Sequence, residues 1–197
     1  MEPQESPRVP LLPTYEARDI GKSYGVPSSM THLNVFRCLL HHPKLAASIA
    51  GTLSGLLWRF NALDEKLREL IIMRIGWRTR ATYEWTQHWR VAQRVGLTDE
   101  EILAVRHWRT SEILSEPARA VLAATDDTLD HGHILDDTWA KCCSHLKTEA
   151  QRIELVLAIA NWRSFSELLQ SLKIPLEEGV VPWPPDGKIC ETLTGRE

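Results

Sequence analysis

The sequence predicts an all-α protein, and three features carry that prediction. Apolar residues recur at helical spacing, as at Leu45, Ile49, Leu53, Leu56 and Leu57, which puts them on one stripe of a helix. Helix-start signatures precede several such runs: Thr98 with Glu101 and Thr148 with Gln151 both have capping-box spacing. No segment shows the apolar–polar alternation of a half-buried strand. Helices that each carry an apolar stripe bury it by packing on one another, so the expected architecture is a helical bundle.

The elements follow in order. Residues 1–30 contain Pro3, Pro7, Pro10, Pro13 and Pro27 and little periodicity; they read as an extended or irregular arm, laid against a neighbouring subunit. A helical domain is expected over 31–178. Thr31 suits the cap of a helix ending before Pro43, and Pro43 suits the first turn of a second helix reaching about Asn61. Small residues on that second helix, Ala46, Ala47, Ala50, Gly51, Ser54 and Gly55, permit close helix–helix approach. Asp64 opens a third helix that stops near Arg80. A fourth, from Thr82, ends at Gly96, a residue free to take the left-handed conformation past a helix end. Thr98 starts a helix to about Trp108, Ser115 with Pro117 one to about Asp130, Asp136 caps another to Leu146, and Thr148 a long one to Leu172. Residues 179–197, with Pro182, Pro184 and Pro185, read as an irregular tail.

Composition narrows the function. At 197 residues, 43% hydrophobic and 25% charged, the chain has the make-up of an ordinary soluble domain. A formal net charge of −3 argues against a nucleic-acid partner. Apolar runs such as Leu155 to Ala160 are too short to span a bilayer, so no membrane partner is expected. The acidic, proline-rich start has no apolar signal-peptide region. Cys38, Cys142, Cys143 and Cys190 include no Cys-x-x-Cys pair and read as buried free thiols of a reducing compartment. A cytoplasmic location is the expectation.

The stretch from Leu67 to Val95 organises the chain. Its first half, Leu67 to Trp77, is nearly apolar all round, interrupted by Arg68, Glu69 and Arg74, which describes a central, buried helix. A carboxylate there needs a partner or must neutralise; Arg68, Arg74 and Arg78 are the candidates for Glu69. In the second half, Glu84 and His88 are four residues apart and share a helix face. Tyr83, Trp85 and Trp89 surround them with aromatic surface, which raises a carboxyl pKa and makes a histidine sensitive to a neighbouring acid. An imidazole with two acids on adjacent helices suits proton transfer. Arg74 is either a salt-bridge partner or a clamp for an anionic substrate. Glu84, His88, His131 and His133 are metal-ligand types, but no zinc-type spacing links them, so no metal is expected. His41 and His42 are expected to complement a helix dipole. Trp58, Trp77, Trp108, Trp139 and Trp162 are expected in the core.

The pattern of Glu69, then Ala81, Glu84 and His88, with Tyr83-Glu84-Trp85 before the histidine, resembles the carboxymuconolactone decarboxylase family. Its superfamily includes the AhpD-like alkylhydroperoxidases. The likeness continues through Gly96 to Ile102 and from Leu168 to Glu177, and covers roughly Leu45 to Glu178. It implies an AhpD-like bundle assembled as a homo-oligomer, trimer or hexamer, with sites near subunit interfaces. It further implies cofactor-independent decarboxylation of a small carboxylated lactone or related organic acid. In that reading His88 is the acid/base, Glu84 its orienting or proton-sharing partner and Glu69 a relay acid, all three catalytic. Arg74, Tyr83 and Trp85 bind substrate. Ala81 and Glu84 stand where the peroxidase branch has its two cysteines, so thiol peroxidase chemistry is not expected. The chain also adds an N-terminal segment of several tens of residues to the family's shorter decarboxylases. An isomerase, a cyclase, a carbon–carbon lyase or a non-catalytic small-molecule-binding or scaffolding paralogue remain alternatives.

Overall fold

A computed structural model of the protein describes residues 6–59 and 61–191. The expected arm and tail at 1–5 and 192–197 lie outside the described residues. Among those described there are helices and no strands. They are α1 Thr14–Ser23, α2 Ser28–Thr31, α3 Asn34–Leu39, α4 Pro43–Ser54, α5 Glu65–Arg78, α6 Thr82–Arg94, α7 Asp99–Ala104, α8 Glu116–His131, α9 Asp136–His145 and α10 Glu149–Ser171. A π-helical turn, Gly55–Arg59, follows α4, and a 3-10 turn, Val105–His107, follows α7. The chain divides into two compact units: α1 to α4 with residues 168–180, and α5 to α9 with α10 up to Glu167 and the segment from 181.

The first unit departs from the expected irregular arm and from the expected Thr31 cap. The arm is not wholly irregular, since α1 occupies Thr14–Ser23. That helix buries only Ala17 and Gly21, residues too small to leave an apolar stripe in the sequence. Within the chain the arm is bonded to later segments. Arg8 donates from its backbone to Leu172 O and from its side chain to Ser171 O, and Arg37 Nε donates to Leu12 O at 2.7 Å. Asn34 donates its side-chain amide to Pro175 O and Leu176 O, while its backbone N–H donates to Glu177 Oε1. These bonds gather residues 168–180 with α1–α4. Thr31 lies inside α2 rather than capping a longer helix. His42 Nδ1 accepts from Leu45 N–H at the start of α4, so it serves a helix N-terminus.

In the second unit the local chemistry matches the sequence more closely. Asp64 accepts from Lys66 and Leu67 at the start of α5. Thr98 and Glu101 form the full capping box of α7, and Thr148 and Gln151 exchange the same pair of bonds ahead of α10. Ser115 accepts from Ala118 N–H at the start of α8. Asp136 does not cap α9; it lies inside the helix, and Asp127 accepts the N–H of Leu135 instead. The core gathers Leu70, Met73, Trp85, Trp89, Ile102, Val105, Leu114, Leu122 and Trp183. Glu154 of α10 accepts from Leu63 N–H, fixing the entry to α5.

Candidate active site

The α5–α6 hairpin is closed by Thr79–Ala81. Arg80 takes φ 57°, and the N–H of Ala81 donates to Gly76 O. Gly76 sets how closely the helices cross: a Cβ there would stand 3.1 Å from Trp85 N and 3.5 Å from Glu84 Cβ. Glu69 precedes Gly76 by seven residues, about two helical turns, and therefore shares its face. That face meets α6.

The geometry places His88 between the two acids. Its Nδ1 lies 2.7 Å from Glu69 Oε2, a short charge-assisted hydrogen bond. Its Nε2 lies 3.7 Å from Glu84 Oε2, within ion-pair range but too long for a hydrogen bond. Of the three side chains the imidazole is the most open, at 13% exposure against 5% for Glu84 and none for Glu69. Glu69 orients the ring, and Glu84, the helix neighbour, stands further off. Arg68 Nε pairs with Glu69 at 3.3 Å, both fully buried. From α10, the indole N–H of Trp162 donates to His88 Nε2 at 3.2 Å with the rings edge to face.

The electrostatics follow from this enclosure. Burial pushes the Glu84 carboxyl up from 4.5 to about 7; His88 pulls it down and Glu69 pushes it up. For His88, burial works against the charged form, but Glu69, through charge and hydrogen bond, and Glu84 outweigh it, so its pKa is raised. A buried carboxyl raised to about 7 beside an imidazole that favours its charged form is a pair that can pass a proton.

Two expected substrate contacts are used elsewhere. Arg74 gives Nε and Nη2 to the two oxygens of Asp126, at 2.8 and 2.9 Å, and Nη1 to Val105 O and Arg106 O. Asp126 also takes Arg78, Arg109 and the indole of Trp108. Burial opposes its charge, but the hydrogen bond and charge of Arg74 dominate and hold its pKa low. Arg74 is thus a structural ion joining α5 to α8. Its place five residues from Glu69 turns it roughly 140° around the helix. Trp85 is fully buried, donates to Pro184 O, and packs with Trp77, Trp89 and Trp183. It belongs to the core. Tyr83 is buried in the first turn of α6.

Trp162 is buried in the core as expected and is also a direct neighbour of the imidazole. It is 74 positions from His88, so no local spacing announces the contact. Trp108 is buried as expected, whereas Trp58 is 58% exposed and Trp139 is exposed as well. Cys142 lies buried on α9, where desolvation raises its thiol to about 11. Among the described residues no group of three or more His, Cys, Asp or Glu side chains is arranged to hold a metal ion, and no described helix is long and apolar enough to cross a membrane.

Comparison with known proteins bears on this all-helical fold and on its buried histidine held between acids on two crossing helices. Residues 43–127, which contain Glu69, Glu84, His88 and Asp126, match the model of the Carboxymuconolactone decarboxylase family. No curated protein matches the chain significantly. Among solved structures, an uncharacterized peroxidase-related protein from Ralstonia eutropha JMP134 with the alkylhydroperoxidase AhpD core aligns at TM-score 0.75 and 14% identity, over 93% of this chain and 100% of that one. An uncharacterized peroxidase-related protein from Silicibacter sp. TM1040 aligns at 0.74 and 12%, over 91% and 96%. The debrominase Bmp8 in complex with 2,3,4-tribromopyrrole aligns at 0.69 and 17%, over 90% and 94%. At these identities the likeness to the solved structures is one of fold. The chain thus shares the AhpD-like fold, and over residues 43–127 it is similar to the carboxymuconolactone decarboxylase family.

Proposed function

We propose that this protein is an acid/base enzyme for a small organic molecule, and that its reaction is loss of carbon dioxide from a small carboxylated lactone or related acid. The observation that carries this reading is His88 between Glu69 at 2.7 Å and Glu84 at 3.7 Å. In the step proposed, the bond between the carboxylate and its carbon breaks and carbon dioxide leaves. The electron pair moves into the conjugated lactone carbonyl as an enolate, and the His88–Glu84 pair delivers the proton that closes at carbon. Glu69 holds the ring in place, and Tyr83 is the remaining candidate substrate contact. Sulfur chemistry is not part of the proposal, because Ala81 and Glu84 stand where the peroxidase branch has cysteines. The reaction as proposed draws on no cofactor.

One observation favours a second reading. With Arg74 bound to Asp126, the expected carboxylate clamp is gone, which suits a proton-shuttling isomerase or cyclase that releases nothing. Measuring released carbon dioxide alongside product mass separates the two. Carbon dioxide in step with substrate loss, abolished in His88→Ala, supports decarboxylation. A product of unchanged mass supports isomerisation. Turnover that survives His88→Ala sinks both.

A further inference from the structure

We infer that Trp162 is a positioning residue that selects which nitrogen of His88 carries the proton. This deepens the acid/base reading of the site and rests on it. An indole N–H donates and cannot accept. Trp162 Nε1 lies 3.2 Å from His88 Nε2, so in this arrangement Nε2 presents its lone pair. The ring's remaining proton then sits on Nδ1 and is donated to Glu69 Oε2 at 2.7 Å. Both nitrogens of the neutral ring are satisfied in one tautomer, and the other would set two donors face to face at Nε2.

The same contact makes Nε2 the atom that gains and loses a proton. When Nε2 is protonated, the indole loses its acceptor, and the new N–H has Glu84 Oε2, 3.7 Å away, as its partner. Trp162 therefore opposes protonation at Nε2 while Glu84 supports it. The groups facing the ring are Glu69 and Arg68 from α5, Glu84 from α6 and the non-titrating Trp162 from α10. Trp162 contributes a fixed donor at Nε2. Its indole is almost fully buried, and the edge-to-face packing on the ring holds that donor in line.

The test is long-range nitrogen–proton NMR of the His88 ring in the full-length protein, followed against pH. In wild type on the alkaline side of the titration, Nε2 should resonate as an unprotonated nitrogen and Nδ1 as a protonated one. Trp162→Phe keeps an aromatic ring and removes the donor. It should produce a mixture of tautomers and raise the His88 titration midpoint by roughly half to one pH unit, the equivalent of one hydrogen bond. A protonated Nε2 in alkaline wild type overturns the inference, and that spectrum needs no variant to fold. An unchanged or lowered midpoint in folded Trp162→Phe overturns it too. These readouts do not involve turnover. Failure of the enzyme proposal therefore shows in the product assays, and failure of the tautomer assignment shows in the spectrum.

Discussion

Replacing Glu84 by glutamine should make the protein more stable at alkaline pH while impairing the site. In the unfolded chain the Glu84 carboxyl has its ordinary value of 4.5; in the fold burial pushes it to about 7. Between those values the native state holds a proton that the unfolded state has released, so stability falls as pH rises from about 4.5 to about 7 and stays lower above. At about 1.4 kcal/mol per pH unit, the ionised acid costs on the order of 3 kcal/mol. Glutamine keeps the shape and cannot ionise. Wild type and Glu84→Gln should therefore differ by less than about 1 kcal/mol at pH 5, and the variant should be more stable by roughly 1–3 kcal/mol at pH 9. Urea unfolding followed by tryptophan fluorescence at both pH values reads the difference. An equal gap at the two pH values, or a variant less stable at pH 9, would show that Glu84 ionises without penalty and is not the neutral-pH proton holder.

His88→Ala should lower turnover by on the order of 10²–10⁴, and adding Glu84→Gln should cost little more, because the pair acts as one unit; single-turnover rates with circular dichroism as a fold control decide it. Gly76→Ala forces a methyl to within 3.1 Å of Trp85 N. Its overpacking cost of roughly 1–3 kcal/mol exceeds the helix-propensity gain of about 1, so the melting temperature should fall; an unchanged or higher one refutes the close-crossing argument. Ile153, Val156 and Leu157 lie exposed on one face of α10, and a symmetric homo-oligomer would cover such a face. Light scattering at micromolar concentration should give a multiple of the 22.5 kDa chain mass; a monomer would contradict it.

What the sequence disclosed and what it hid divide along a physical line. Local chemistry was legible: the Thr98–Glu101 and Thr148–Gln151 boxes, the Asp64 and Ser115 caps and the end at Gly96 depend only on neighbours within one turn. The Glu84–His88 face was legible for the same reason. Contacts between distant segments were not. Arg74 and Arg78 meet Asp126, and Arg78 also meets Asp130, as two i, i+4 pairs on α5 and α8. Each pair has a pattern, but nothing local says that the two face one another. Trp162 carries no pattern that distinguishes it from Trp108. Helix α1 was hidden for a different reason: a helix that buries only alanine and glycine has almost no hydrophobic signal.

The charges around His88 lead to a last prediction about binding. Arg68 and Glu69 are paired in full burial, and Arg74 serves Asp126. A carboxylate entering beside His88 would then meet an imidazole whose pKa is raised and a Glu84 carboxyl that releases its proton near 7. On the proposed reading the anion is neutralised by a proton held on the His88–Glu84 pair, not by a free guanidinium. Bringing a negative charge next to both groups raises both pKa values further, so binding should draw a proton from solution. Affinity for a small carboxylated lactone should weaken as pH rises above about 7, by up to about tenfold per pH unit where one proton is taken up. Calorimetric titration in two buffers of different ionisation enthalpy counts that proton directly. Binding that takes up no proton and keeps its affinity from pH 6 to pH 9 would mean that a fixed cation meets the carboxylate, and the site would have to be redrawn to include one.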